Sequence, residues 1–262
     1  IHAAGVVISD VPLYEIVPLR IGDEEEDEDG AAIAGEAVTA TQWEKTRVEE
    51  FGLVKMDVLG LKTLTIMSNA LKHIKESTGK DIKLDDIPLD DPETYKMISR
   101  GDNLGVFQLE SSLSPLCMKI KPKDVETVAA INALGRPSCP AEQRKAYIDR
   151  RTGREEVSYT HHSLERALKP TYGISLYEES MMTIAADCAG WDLNEADGLR
   201  KYTKLKGKDP ALALKIESDF LKGCMEHSKM TYEKAEDIWD TQISAFSGYG
   251  FNKSHAISYS II

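Results

Sequence analysis

A chain of 262 residues suffices for one large or two ordinary domains with a substantial core. No apolar run reaches the length needed to cross a bilayer, and the start lacks a basic-then-apolar leader pattern, so the composition points to a cytoplasmic protein without a membrane partner. The formal net charge of −12 argues against a uniformly basic nucleic-acid binder, but seven acids sit in the single run Asp23 to Asp29, and the charge is therefore segregated.

Residues 1 to 60 read as strands. Ala3 to Ser9 is short, apolar and β-branched, Ala37 to Trp43 is a second candidate, and Gly52 to Val58 a third. Between the first two, the acidic, glycine-bounded stretch 22–35 reads as a surface loop or insertion. His2, ahead of an apolar strand, fits a hydrogen-bonded structural residue better than a ligand. In Val54-Lys55-Met56-Asp57-Val58, alternation places Lys55 and Asp57 on one face and the apolar side chains on the other. A carboxylate and an ammonium two residues apart at a strand end can present a metal ligand beside a phosphate-facing charge; a solvated sheet face has the same pattern. One carboxylate does not hold two metal ions, so partners have to come from elsewhere.

From Leu61 the period becomes helical, with Leu64, Met67, Leu71 and Ile74 on one face up to Gly79. Asp91-Pro92 opens a short helix, and further helices are expected over 124–134, 177–189, 194–202, 211–227 and 232–246. His161-His162 resembles a helix start. The expected boundary between a β-rich beginning and a helical remainder lies near residue 62, and no internal repeat is visible.

Cations cluster in two places. One holds Arg136, Arg144, Lys145, Arg150, Arg151 and Arg154; the other runs Arg200, Lys201, Lys204, Lys206 and Lys208 around Tyr202. The second suits a triphosphate or a nucleic-acid backbone, with Arg for bidentate and Lys for point-charge contact, and reads equally as a charged interhelical loop. Cys117, Cys139, Cys188 and Cys224 are dispersed without metal-ligand spacing and fit reduced thiols. No G-x-S-x-G, P-loop or dinucleotide-binding glycine pattern occurs.

Gly248-Tyr-Gly-Phe-Asn-Lys-Ser-His255 combines a glycine-flexed aromatic turn with an amide, an ammonium, a hydroxyl and an imidazole ahead of an apolar run. Asn252 or Ser254 is expected to cap a helix beginning at Ala256, directing unpaired N–H groups the same way as Lys253 and His255, a geometry suited to phosphate.

Several segments, in order over nearly the whole chain, resemble the bacterial DNA polymerase III alpha subunit, the C family of DNA polymerases. They are His2 to Ser9, Gly52 to Ile66, Gly105 to Ser111, Arg136-Pro137, Tyr147 to Arg150, Pro170 to Ile174, Ala196 to Arg200 and Gly248 to His255. The resemblance implies an α+β fold, in which 1–62 is the C-terminal part of a nucleotidyltransferase-like β-sheet palm and 63–262 a mainly α-helical fingers domain, truncated at its end. Asp57 is then one of three aspartates holding two Mg²⁺ ions, with Lys55 beside it. Arg136, Arg200, Lys201, Lys204, Asn252, Lys253, Ser254 and His255 are implied to bind the nucleotide, and Gln108, Lys206 and Lys208 to bind DNA. The implied partners are primer-template DNA and deoxynucleoside triphosphates, with a sliding clamp and other replisome subunits engaged through regions outside this chain. The implied activity is addition of deoxynucleotides to a primer 3′-hydroxyl in replication.

The other two aspartates belong to a motif upstream of His2, so the isolated chain is expected not to polymerise. The sequence also departs from the family pattern. Arg-Pro-Gly-Pro becomes Arg136-Pro137-Ser138-Cys139-Pro140, Tyr-Gln-Glu-Gln becomes Tyr177-Glu178-Glu179-Ser180, and the segment after Arg200 is altered. Those changes leave open a second reading, a polymerase-derived DNA-binding or assembly module without catalysis.

Overall fold

The structure is a computed structural model that describes residues 5–21, 39–58, 60–110, 112–205, 209–248 and 250–262, without side-chain detail at 200, 201, 203–205, 247 and 248. His2, the acidic stretch 22–35, Lys206 and Lys208 lie outside the described residues. The fold is mixed α and β and mostly helical. It divides into two compact units, Ile1–Gly79 and Lys80–Ile262. By packing, the long helix that follows the strands groups with them, beyond the change of periodicity near residue 62.

In the first unit, β1 (Gly5–Ile8), β2 (Leu19–Ile21), β3 (Thr39–Thr41), α1 (Lys45–Glu50), β4 (Val54–Asp57) and α2 (Lys62–Thr78) follow in order. β1 pairs antiparallel with β4, with Val7 opposite Lys55 and Gly5 opposite Asp57. β2 pairs antiparallel with β3, Leu19 opposite Thr41. The core is small: Val17, Val48 and Leu53 are buried, with Val7, Leu13, Leu19 and Trp43 packed around them. β2 and α1 were not expected, because three strand residues and a six-residue helix with Val48 as its sole apolar member are too short to set up a period. α2 ends as read, at Gly79 with φ +72°, the left-handed cap that glycine adopts without a Cβ penalty.

The second unit is helical: α3 (Pro92–Arg100), α4 (Ser114–Ile120), α5 (Val125–Leu134), α6 (Ala141–Arg151), α7 (Glu165–Leu168), α8 (Glu178–Ile184), α9 (Leu193–Leu205), α10 (Pro210–His227), α11 (Tyr232–Ile238) and α12 (Lys253–Ile261). α8 runs on into a π-helical turn over Ala185–Ala189, and α11 into another over Trp239–Ser244. Asp91 caps α3 as its sequence suggests, accepting from the Thr94 N–H at 3.1 Å with Pro92 in the first turn. Asp124 caps α5 through the Thr127 N–H at 2.7 Å.

α5 is buried at every position from Thr127 to Leu134, mostly by apolar side chains with Thr127 and Asn132 among them, and it packs against α12. It forms one core with Tyr95, Leu116, Tyr147, Tyr177 and Ala256. The other core is built by α7 to α11 around Ile184, Leu199, Phe220 and Trp239. The helix start read at His161-His162 is present, His161 capping a short turn, His162–Leu164, that runs into α7, whereas α4 and α6 are absent from the sequence reading. α6 fully buries only Tyr147 and six of its eleven residues are charged, so the basic cluster hides its period.

Candidate functional site

In the first unit, β4 carries Lys55 and Asp57 on one face, as alternation requires. On that face Asp57 is exposed and Lys55 is not, and the apolar face is not the buried one. Val54 and Met56 are the more exposed residues, at 59% and 51%, while the Lys55 side chain is only 11% exposed. Lys55 lines a cavity of about 550 Å³ with Val7, Leu13, Leu19, Trp43 and Val48. Its ammonium donates to Asp57 Oδ1. Asp57 keeps its side chain 46% exposed at the strand end. It therefore offers one accessible carboxylate, neutralised in part by a lysine whose reach is fixed by apolar packing.

Mg²⁺ demands an octahedral set of oxygens, commonly one or two carboxylates with water and phosphate. Asp57 suits one such position. Among the described residues no cluster of three metal-ligating side chains occurs.

In the second unit, the Phe251–His255 segment is tied to the start of α8. Phe251 forms a parallel bridge with Tyr177, its carbonyl accepting from the Glu178 N–H at 3.0 Å. Gly250 is needed here, because a Cβ would stand 2.6 Å from the Phe246 ring. Asn252 is the cap of α12, its Oδ1 accepting from the His255 N–H at 2.8 Å and from the Ser254 hydroxyl at 2.6 Å. The helix begins at Lys253, earlier than the expected Ala256. The Lys253 N–H donates to both Glu179 oxygens, at 3.0 and 2.9 Å, so an internal carboxylate occupies the first donor of a helix start expected to be open to phosphate.

The Lys253 ammonium reaches Glu126 Oε1 at 3.2 Å and lies 5.8 Å from the centre of the Tyr177 ring. Burial pushes the Tyr177 phenol well above its ordinary range, with Tyr147, Glu126 and Glu179 adding to the shift. That leaves a neutral, apolar wall beside the cation.

A ladder of rings extends from this point. Arg136 stacks its guanidinium 4.8 Å from the Phe251 centroid, Phe251 meets His255 edge-on at 5.4 Å, His255 meets Tyr259 at 4.1 Å, and Tyr259 meets Phe107 at 5.2 Å. Gln108 follows Phe107 in a left-handed conformation, φ +64°, and is exposed. Arg136, Asn252, Lys253, Ser254 and His255 are thus gathered at one edge of this unit, with Gln108 at the far end of the ladder. Arg200, Lys201 and Lys204 fall in the second half of α9, and their side chains are outside the described set. Glu126 and Glu179, which hold Lys253, were missed; Glu179 lies in a segment that had been singled out only for its departures.

Comparison with known proteins agrees with this layout. Residues 63–228 match the family model described as the bacterial DNA polymerase III alpha subunit finger domain, and residues 1–60 match the bacterial DNA polymerase III alpha NTPase domain. The chain is 38% identical to the DNA polymerase III subunit alpha of Bacillus subtilis (strain 168) over 262 residues, all of this chain and 22% of that protein. It is 40% identical to the proteins of the same name from Thermus aquaticus and Aquifex aeolicus (strain VF5), again over all of this chain and 21% of each. The chain spans about a fifth of the length of these curated relatives. With the finger-domain model alone matching 63–228, the chain belongs to the bacterial DNA polymerase III alpha-subunit family.

Proposed function

We propose that this chain is the end of the palm, 1–62, and much of the fingers, 63–262, of a template-directed DNA polymerase of the replicative type. That enzyme adds deoxynucleotides to a primer 3′-hydroxyl in the cytoplasm. The observation that carries the reading is the ordered match of both family models along the chain, with Lys55 paired to Asp57 in one and, in the other, Arg136 and His255 both against Phe251, two residues before Lys253.

The chemistry follows from the charges. In phosphoryl transfer the protein acts by positioning and by neutralising charge on the reacting phosphates. Lys253 is held by an exposed pair with Glu126, which stabilises by about 0–1 kcal/mol and yields readily to a triphosphate oxygen. Arg136 and His255, fixed by ring contacts, line the same edge, and Arg200, Lys201 and Lys204 are assigned to the phosphates by the family pattern. Lys55 holds the Asp57 carboxylate in place. Mg²⁺, held by Asp57 with carboxylates from outside this chain, supplies Lewis-acid activation when bound. Primer-template DNA is the proposed macromolecular partner, with Gln108, Lys206 and Lys208 assigned to it; a sliding clamp and other replisome subunits are assigned to regions beyond this chain.

The second reading, a DNA-binding or assembly module without catalysis, is favoured by the altered turn Pro137 to Pro140 and by Glu178 and Ser180 in place of two amides. Primer extension separates them. A longer polypeptide that contains these 262 residues and supplies the further carboxylates extends a labelled primer under the first reading, and binds it without extension under the second.

A further inference from the structure

A second cationic surface lies within the helical unit, apart from the Lys253 edge. A cavity of about 670 Å³ opens between α3 and the segment joining α4 to α5. Tyr95 and Pro122, both buried, belong to its floor, and its rim carries Lys96, Arg100, Lys121 and Lys123 against one acid, Asp90. The lining holds four cations and one acid in a chain where 44 acids outnumber 32 basic residues, with Glu93 and Asp102 alongside it pairing Lys96 and Arg100. The charge of this groove is local.

The groove is held in shape. Arg151 on α6 donates to the Ile120 carbonyl at 2.9 Å and the Lys121 carbonyl at 3.2 Å, capping the end of α4, and donates to the Tyr172 hydroxyl at 2.8 Å. Ser99 on α3 donates to the Pro122 carbonyl at 3.3 Å, joining the two walls. Lys121 takes the left-handed conformation at φ +52°. The cations are also available. Lys96 and Arg100 are engaged only in exposed pairs with Glu93 and Asp102, and neither Lys121 nor Lys123 has an acidic partner among the described residues.

We infer that this groove binds single-stranded nucleic acid, its phosphates on the four rim cations and its bases against the apolar floor. A small inorganic anion would not use the floor, and duplex DNA keeps its base faces stacked away from one; single strands offer both a charged backbone and exposed apolar faces. The inference rests on the lining of the groove and not on the role of Asp57.

The test is fluorescence anisotropy of the 262-residue chain with labelled dT12, across a salt series. For a single strand the slope of log Kd against log salt is about 0.7 per phosphate contacted, so four contacts give about 2.8 and the Lys121→Glu/Lys123→Glu variant about 1.4, with affinity at low salt falling about 10-fold or more. An abasic 12-mer of equal charge should bind about 5-fold or more weakly than dT12. Far-UV circular dichroism confirms the fold of the variant. In wild-type protein, dT12 should protect Lys121 and Lys123 from acetylation. Unchanged slope and affinity in the double variant, or unprotected lysines in a chain that binds dT12 elsewhere, would overturn the assignment. Equal affinity for dT12, the abasic strand and polyglutamate would overturn it too, leaving a non-selective polyanion surface. None of these outcomes bears on primer extension, so failure here is distinguishable from failure of the polymerase reading.

Discussion

Glu179 grips the backbone N–H of Lys253 with both carboxylate oxygens, at 3.0 and 2.9 Å, across 74 positions of sequence. This contact sets where α12 begins and therefore where the Lys253 ammonium and the His255 ring stand. Replacing the carboxylate leaves a helix start without its charged acceptor. Glu179→Ala is expected to destabilise the chain by about 1.5–3 kcal/mol, the range for hydrogen bonds to charged groups. Urea denaturation with an unchanged m value checks it.

Lys253 itself should behave differently. Its pair with Glu126 is exposed, so Lys253→Ala is expected to change stability by less than about 1 kcal/mol. Nucleotide affinity should fall about 10-fold or more, because a charge-assisted phosphate contact is lost. Titration with a deoxynucleoside triphosphate in Mg²⁺ buffer, beside a thermal melt, reads both quantities. A large loss of stability with unchanged affinity would assign Lys253 to the scaffold.

How far the sequence foretold this geometry depended on the range of the interaction. Asp91, Asp124, Asn252 and Gly79 mark helix ends through contacts within a few residues, and these were legible. The Asn252 cap was read as one of two options, yet the start of α12 was placed late, because Glu179 is remote in sequence and fixes it. The burial of Lys55 is not legible for a related reason: it lines a cavity together with Leu13, Leu19 and Trp43, which alternation within one strand does not reveal. The Arg136–Phe251–His255–Tyr259–Phe107 ladder joins three segments, and none of them announces it alone.

Close packing between α10 and the π-turn after α8 gives a third expectation. A Cβ at Gly223 would stand 2.6 Å from the Ala189 carbonyl oxygen and 2.8 Å from the Ala189 Cβ. Gly223→Ala should therefore cost about 1–3 kcal/mol through overpacking, despite the higher helix propensity of alanine. A control in an open position, Gly198→Ala, should be neutral or stabilising. Melting temperatures of the pair decide the point.

The cysteines predict an alkaline limit. Burial pushes the Cys117 thiol up to about 11 and the Cys188 and Cys224 thiols up to about 12, from 9.0. Between about pH 9 and 11–12 the unfolded chain has lost these protons while the folded chain keeps them, so stability is retained below pH 9 and falls as pH rises through that window. The limiting slope is about 1.4 kcal/mol per pH unit for each thiol. Melting temperature against pH should bend downward above pH 9. At pH 8 the folded chain should leave these thiols unreactive to a disulfide reagent until denaturant is added.

The central claim is that Asp57 serves phosphoryl transfer. The most direct measurement is primer extension by the longer polypeptide carrying Asp57→Ala, with primer-template affinity measured in parallel. Loss of extension by about 100-fold or more with DNA binding retained is the predicted result. Extension within about 2-fold of the unaltered protein would contradict the claim, since no interaction with the reacting phosphates would then run through this carboxylate.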